Sequence, residues 1–354
     1  MHNILTRSFL FLVIGCLWSV GGYAQIGGNG TYKFLGYSNS ARIASMGGSF
    51  LAINDNDITL TQANPSLITP AMNNNLALSY VNSTGGINYG FAMYSHTFGK
   101  VGSFVGSLQY LNYGNFTGAD ASGNLTGDFS ASEYALNIGW GRQLSPLFSI
   151  GANGKLIYSQ LDTYRSFGIA VDVAGTYTSK DQTFTASLIG RNIGTQIVPY
   201  IAGQYEPLPF ELQIGLSQKL KHIPLRFSEL LTNLQRWDLT YLDPSDPANV
   251  PDPITGEVKQ KSGIGKFADG VMRHIVLGAE VTIAKAFSIR IGYNYQRRQE
   301  LKLTSKAGLT GFSIGAGLRV KMFNLSYTRA AYTAGIPRNY ITIAVNLQEF
   351  SKKQ

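Results

Sequence analysis

Few residues in this chain have the type and spacing that catalysis or metal binding requires. Its four histidines, His2, His96, His222 and His274, stand too far apart for two of them to ligate one metal from a shared helix or turn. Cys16 is the only thiol, and it lies in a segment read below as a removable leader. Gly154-Lys155 ends like a phosphate-binding loop, yet Leu156 follows where a magnesium-binding hydroxyl is needed, and the neighbouring residues alternate as a strand does. A Ser-His-acid hydrolase stays open on spacing alone, but no nucleophile elbow is read in the chain. The expectation is a protein that is not an enzyme and holds no metal or cofactor. What remains is charge: Lys155, Asp172, Glu211, Glu280, Arg290 and Arg319 fall on the small, polar phase of alternating segments.

Those segments must position the charges. Phe287, Ile289, Ile291, Tyr293 and Tyr295 alternate with Ser288, Arg290, Gly292, Asn294 and Gln296, while Ile341, Ile343, Val345 and Leu347 alternate with Thr342, Ala344 and Asn346. Period-two patterning is the mark of a strand with one apolar face. Fourteen strands are expected, at 76–84, 86–97, 101–113, 131–143, 147–159, 166–178, 181–192, 210–220, 236–242, 272–283, 286–297, 309–319, 321–329 and 339–349. An even count suits a single-chain antiparallel outer-membrane β-barrel, whose apolar phase faces lipid and whose polar phase faces the lumen. The six charges then point inward, as a salt-bridge network filling a closed interior or as the lining of a passage, and the network is the favoured reading.

Connection lengths separate a barrel from a soluble sandwich, because a barrel sorts short turns to the periplasmic end and long loops to the outer end. Here 98–100, 145–146, 179–180, 284–285 and 320–321 are short, and the alternate gaps 114–130, 193–209, 243–271, 298–308 and 330–338 are long. Two gaps break the rule. The first, 85–86, is a short outer turn; the second, 221–235, carries Phe227, Leu230, Leu231 and Leu234 at helical spacing and is expected to form an amphipathic helix at the inner interface.

Delivery agrees with a membrane destination. Arg7, an apolar run from Phe9 to Val20 and the small residues ending at Ala24 have the order of a secretory leader, with cleavage expected after Ala24; a lipoprotein site at Cys16 is the rival reading. Forty glycines, twenty tyrosines and nineteen phenylalanines accompany only 14% charged residues. The formal net charge of +9 suits an anionic lipid or polysaccharide surface, or merely solvated loop lysines; the basic residues are too scattered for nucleic-acid binding. The chain therefore divides into a leader 1–24, an N-terminal segment 25–75, a barrel 76–350 and a tail 351–354. Both termini of the barrel are expected in the periplasm, with the barrel itself monomeric.

Residues 25–75 read as helix and turn. Ser40 is a plausible cap, Ile43, Ala44 and Met46 follow at helical spacing, Gly47-Gly48 stops the helix, and Asn64-Pro65 turns the chain into a second short piece. The order Ser40-Ala41-Arg42, Met46-Gly47-Gly48, Ala52, Asp55, Asp57 and Ala63-Asn64-Pro65-Ser66-Leu67 resembles the hatch of the FadL-like outer-membrane barrels. The opening GGNGTYKFLGYSNSARIASMGG and the compact length are similar, within that group, to the PorV/PorQ family of the type IX secretion system. That resemblance implies a barrel anchoring a surface complex: a PorZ-like surface protein, with a PorV-like barrel and a sortase, which processes cargo and attaches it to lipopolysaccharide. The alternative is a FadL-like transporter of hydrophobic small molecules, which needs an apolar pocket and an exit. Outer loops would hold the partner, with candidate contacts at Tyr200 and Tyr205 in 193–209 and at Lys259, Lys261, Lys266 and Phe267 in 243–271.

Overall fold

The computed structural model describes residues 30–351, apart from 100, 241–262, 285, 302–307 and 334–335. Fourteen antiparallel strands close into one barrel in which each strand pairs with its sequence neighbours and the first pairs with the last. They are β1 (Asn75–Asn82), β2 (Asn88–Phe98), β3 (Gly102–Ala119), β4 (Leu125–Gln143), β5 (Phe148–Leu161), β6 (Tyr164–Thr178) and β7 (Phe184–Val198). The other half comprises β8 (Glu211–Lys219), β9 (Leu225–Leu231), β10 (Ile275–Ile283), β11 (Phe287–Asn294), β12 (Phe312–Val320), β13 (Phe323–Thr333) and β14 (Ile336–Asn346). The seam aligns Asn75 with Asn346 and Asn82 with Asn339. Period two does what it promises: Ile341 and Ile343 are exposed on the outside, and Thr342 between them is buried in the lumen.

One strand was misread from the sequence. Residues 225–231, expected to be helical, form β9, and the strand expected at 236–242 is absent from its described part, since 232–240 is irregular. Leu225, Phe227 and Leu231 face outward while Ser228 and Leu230 are buried inward, which is a strand pattern. Glu229 sits on the outward phase and breaks the alternation, so helical spacing looked the better fit.

The two halves of the wall differ in height. The strands from β3 to β7 run 14 to 19 residues, and those from β8 to β12 run 7 to 9. Much of the expected loop 114–130 is a continuation of the β3–β4 ladder, stiffened by Phe116 stacked on Phe129 at 5.2 Å. On the low side, long connections carry helices instead: α2 (Gly263–Arg273) before β10 and α3 (Tyr295–Leu301) after β11.

The lumen is filled by residues 30–74. Thr31 donates its N–H to Pro207 O in the long β7–β8 connection, so the described chain starts at the outer end. It passes through α1 (Ala41–Ser45), capped by Ser40 Oγ accepting from Ile43 N, and turns at Gly47 and Gly48, whose φ of 103° and 113° only glycine adopts without strain. Single helical turns at Ile58–Leu60, Pro65–Leu67 and Pro70–Met72 then deliver it to β1 at the inner end. The two ends of the barrel wall lie together, Asn75 of β1 paired with Asn346 of β14, which is followed by α4 (Gln348–Ser351), whereas Gly30, at the start of the described plug, lies at the opposite end beside the β7–β8 connection. A cord traverses the barrel, and its apolar side chains make most of the core: Tyr32, Phe34 and Leu35 pack with Tyr340, Leu111 and Ile157, and Met46, Phe50 and Leu51 with Ile189, Leu230 and Val276.

Candidate functional site

The cord is held to the low wall by charge. Arg42, buried on α1, donates from Nη1 to Asp55 Oδ1 at 3.0 Å and Asp57 Oδ2 at 2.9 Å, and from Nε and Nη2 to the two Glu280 carboxylate oxygens at 3.1 and 2.9 Å. Arg290 on β11 donates to Glu280 Oε2 at 2.6 Å, and Arg226 on β9 to Asp55 Oδ2 at 3.1 Å. Three guanidinium groups meet three carboxylates, so the cluster is neutral as a whole, and Arg42 at its centre fills its fork with acceptors. The hatch motif and two of the lumen charges are one network. Arg226 belongs to it too, and was missed because its strand was misread.

The tall wall holds the cord mainly by neutral contacts, Arg191 of β7 adding a charged donor to Leu35 O at 3.4 Å. Asn64 caps the Pro65–Leu67 turn by accepting from Ser66 N and donates to Leu51 O at 2.7 Å and Thr176 Oγ1 at 3.0 Å. Behind it the wall is glycine: a Cβ on Gly151 would stand 2.3 Å from the carbonyl carbon of Pro65. The low wall shows the same device, since a Cβ on Gly292 would stand 2.1 Å from the carbonyl carbon of Met46. These glycines are grooves into which backbone is pressed.

The other lumen charges lie apart from the cluster. Lys155 Nζ is 2.8 Å from Asp172 Oδ2 and donates to Asn192 Oδ1 at 2.7 Å, all deeply buried. Glu211 accepts from Thr232 Oγ1 and Asn233 N. Arg319 stands exposed at the inner mouth, its guanidinium meeting no partner among the described residues.

Two openings border the filled lumen among the described residues. A cavity of about 10 Å³ between cord and wall, bordered by Ser49, Gln62, Gln109 and Arg191, has room for one water. A vestibule of about 450 Å³ opens at the inner end, lined by Arg42, Asp55, Arg226, Glu280, Arg290 and Arg319. Neither is the apolar pocket that a hydrophobic ligand requires.

Of the expected partner contacts, Tyr205 is exposed, as are Lys266 and Phe267 on α2. Tyr200 is not a free surface residue, since it packs inward and its hydroxyl donates to Ser159 Oγ at 2.6 Å. Lys259 and Lys261 lie outside the described residues. Beside Phe267, at 63% exposure, stand Trp237 at 61% and Ile264 at 85%, an apolar crown that the sequence reading passed over. Below it Tyr295 donates to Asp269 Oδ1 at 2.7 Å; burial, then the adjoining carboxylate, pushes the phenol up to about 12.

The residues first weighed for chemistry do not gather. A Gly-x-Ser-x-Gly string does occur, contrary to the sequence reading, at Gly311-Phe312-Ser313-Ile314-Gly315, but it runs into β12 and Ser313 is buried on the strand. An elbow needs a strand-to-helix turn with the hydroxyl exposed. His274 is stacked on Trp237, its ring nitrogens facing Thr232 O and Trp237 O.

The chain matches no family model, and no curated protein matches it. Among solved structures it is similar to the Pseudomonas putida toluene transporter TodX, with a TM-score of 0.50 and 12% identity over 87% of this chain and 96% of that one. The Ralstonia pickettii toluene transporter TbuX follows at 0.49 and 10%, covering 89% and 98%, and a Pseudomonas aeruginosa FadL homologue at 0.46 and 9%, covering 90% and 100%. At these identities the likeness carries the fold: a closed fourteen-strand barrel with short N-terminal helices, the architecture of the FadL-like outer-membrane barrels.

Proposed function

We propose that this chain is a plugged outer-membrane barrel that serves as a non-enzymatic surface platform, the barrel component of a type IX attachment complex that holds a PorZ-like protein at its outer loops. One observation carries the reading: the lumen is occupied from outer to inner end by residues 30–74, clamped by Arg42 to Glu280 and by Asn64 to Thr176. A barrel sealed in this way presents loops more readily than it passes solutes. The long outer connections 199–210 and 232–274 are the holding surface, with Tyr205, Trp237, Ile264 and Phe267 exposed on them. The family-level assignment rests on the resemblance of the hatch motif.

A second reading, passage of hydrophobic compounds, draws on the fold likeness to TodX, a toluene transporter, and the comparisons speak for it more than for the first. The described wall offers a place for it. Above Arg191, β7 has no ladder partner on its β8 side; the connection follows it instead through side chains, with Asn192 donating to Pro209 O and Gln196 accepting from Glu206 N.

Purification from the native outer membrane in mild detergent, with co-purifying proteins and lipids identified together, separates the two. Stoichiometric recovery of a large surface protein, lost when 241–262 or 201–206 is shortened, is the expected result. A bare barrel carrying a hydrophobic molecule overturns the platform reading in favour of transport.

A further inference from the structure

The outer face of the described strands is mostly apolar; arginines stand exposed on its phase at Arg142, Arg165 and Arg329, and one acid is set among its leucines and phenylalanines. Glu229 of β9 points outward between Phe227 and Leu231 of its own strand, paired with Leu216 on β8 and Leu277 on β10. Its carboxyl makes no hydrogen bond or ion pair among the described residues. Every other acid on a described strand is accounted for. Glu133, Asp172, Glu211 and Glu280 face the lumen, and Asp128 stands in the part of the β3–β4 hairpin that rises above the low strands. A charged group on the lipid face of a barrel is destabilising, and an ionisable group at membrane depth normally faces a partner.

We propose that the β8–β10 face around Glu229 is a lateral docking surface for a second, different membrane-embedded protein, which brings a lysine or arginine to this carboxylate. Charge complementarity names the occupant's chemistry: in a low-dielectric surround of leucine and phenylalanine, a lone carboxylate is satisfied by a cationic donor. A twofold contact of this chain centred on Glu229 does not supply it, because it sets carboxylate against carboxylate. The surface continues upward from the same strands. Ile264 and Phe267 of α2 and Trp237 of the β9–β10 connection are among the most exposed apolar residues of the molecule, and they crown the shortest part of the wall. A partner leaning on β9 therefore covers both the outward-facing carboxylate and the apolar crown. The inference rests on the barrel standing in a membrane, not on the platform role of its loops.

The test is in-membrane photo-crosslinking from a reactive side chain introduced at Leu277, with the product mapped by mass spectrometry. The expected product joins Leu277 to a second outer-membrane protein beside a lysine or arginine. Its yield falls at least tenfold in Glu229→Lys, is kept in Glu229→Asp, and returns when the mapped basic residue is changed to Glu in the Glu229→Lys background. Should Glu229→Lys fail to fold, Glu229→Leu takes its place, with heat-modifiable migration as the check that the barrel is intact. Crosslinks to lipid alone, to a second copy of this chain, or at a yield that Glu229→Lys and Glu229→Leu leave unmoved overturn the proposal. So does a product whose basic residue cannot be exchanged with rescue. Shortening 241–262 alone leaves this yield in place, so loss of the surface partner and loss of the lateral one are read separately.

Discussion

The cord meets the two halves of the wall by different means. On the low side Arg42 is bolted to Glu280 and, through Asp55, to Arg226; on the tall side Asn64 and Ser66 share neutral hydrogen bonds with Thr176. Both sides add the same close packing of backbone on glycine. The tall wall carries its own outer rim by extending strands, whereas the low wall delegates its rim to connections bearing helices. The difference teaches where the molecule can change. Neutral contacts are fixed by shape and hold under any condition that keeps the fold, while a cluster of six ions depends on every member being present and charged. The low side is the adjustable one, and it also bears the exposed apolar crown and Glu229.

The sharpest attack on this contrast is Arg42→Ala. Three carboxylates would be left facing two guanidinium groups in a buried place, at a cost of about 3–5 kcal/mol. The expected result is a cord released from β10–β12, read as a lowered unfolding midpoint in detergent, new protease cuts near 42–57 and ion conductance in planar bilayers. A barrel as stable and as tight as the native one would mean that the clamp is ornamental. Next in size, Gly292→Val and Gly151→Val should destabilise by similar amounts, about 1–3 kcal/mol or more, because both drive side-chain atoms into backbone. Gly154→Val, where nothing lies within 4 Å, is the neutral control. A large difference between the first two would show that packing as well as charge distinguishes the walls.

Asn64→Ala removes a cap and two further donations on the tall side, and about 1–2 kcal/mol is expected. The conductance should stay closed, because the charged clamp is untouched. The smallest effect concerns the low-side rim. Tyr295 has a phenol raised from 10.0 to about 12, so its contribution is complete below pH 10 and is lost as the pH climbs through 12. Amide exchange in α2 and α3 should quicken across that window, and Tyr295→Phe should flatten the response.

The fold was legible because an apolar outer face and a packed lumen impose period two on almost every strand. Ile341 to Leu347 announce it, and the sorting of short and long connections repeats it at larger scale. Legibility failed where one residue broke the pattern. Glu229 hid β9, and with β9 went Arg226, the third arginine of the clamp. The hatch motif picked out Arg42, Asp55 and Asp57, yet spacing could not join them to Glu280, which lies 238 residues beyond Arg42 and is brought there by closure of the wall. Tyr200 looked like a surface contact because loop composition says nothing of the direction in which a loop folds. The lumen glycines were visible as small residues, and only the backbone pressed against them explains why they must be so small.

The threaded path also bears on assembly. A cord that arrived after the ring had shut would draw Thr31 through the whole lumen, so the path favours setting the plug while the wall is still an open sheet. The strand made last completes the circle, and it touches the plug as it does so. Thr342 of β14 takes a hydrogen bond from Ala41 N and shares another with Ser79 of β1, while Thr328 of β13 donates to Ala41 O. A closing strand that finds no Ala41 leaves hydroxyls and main chain unmatched at the seam. The final joint of the wall is thereby also an inspection of its contents.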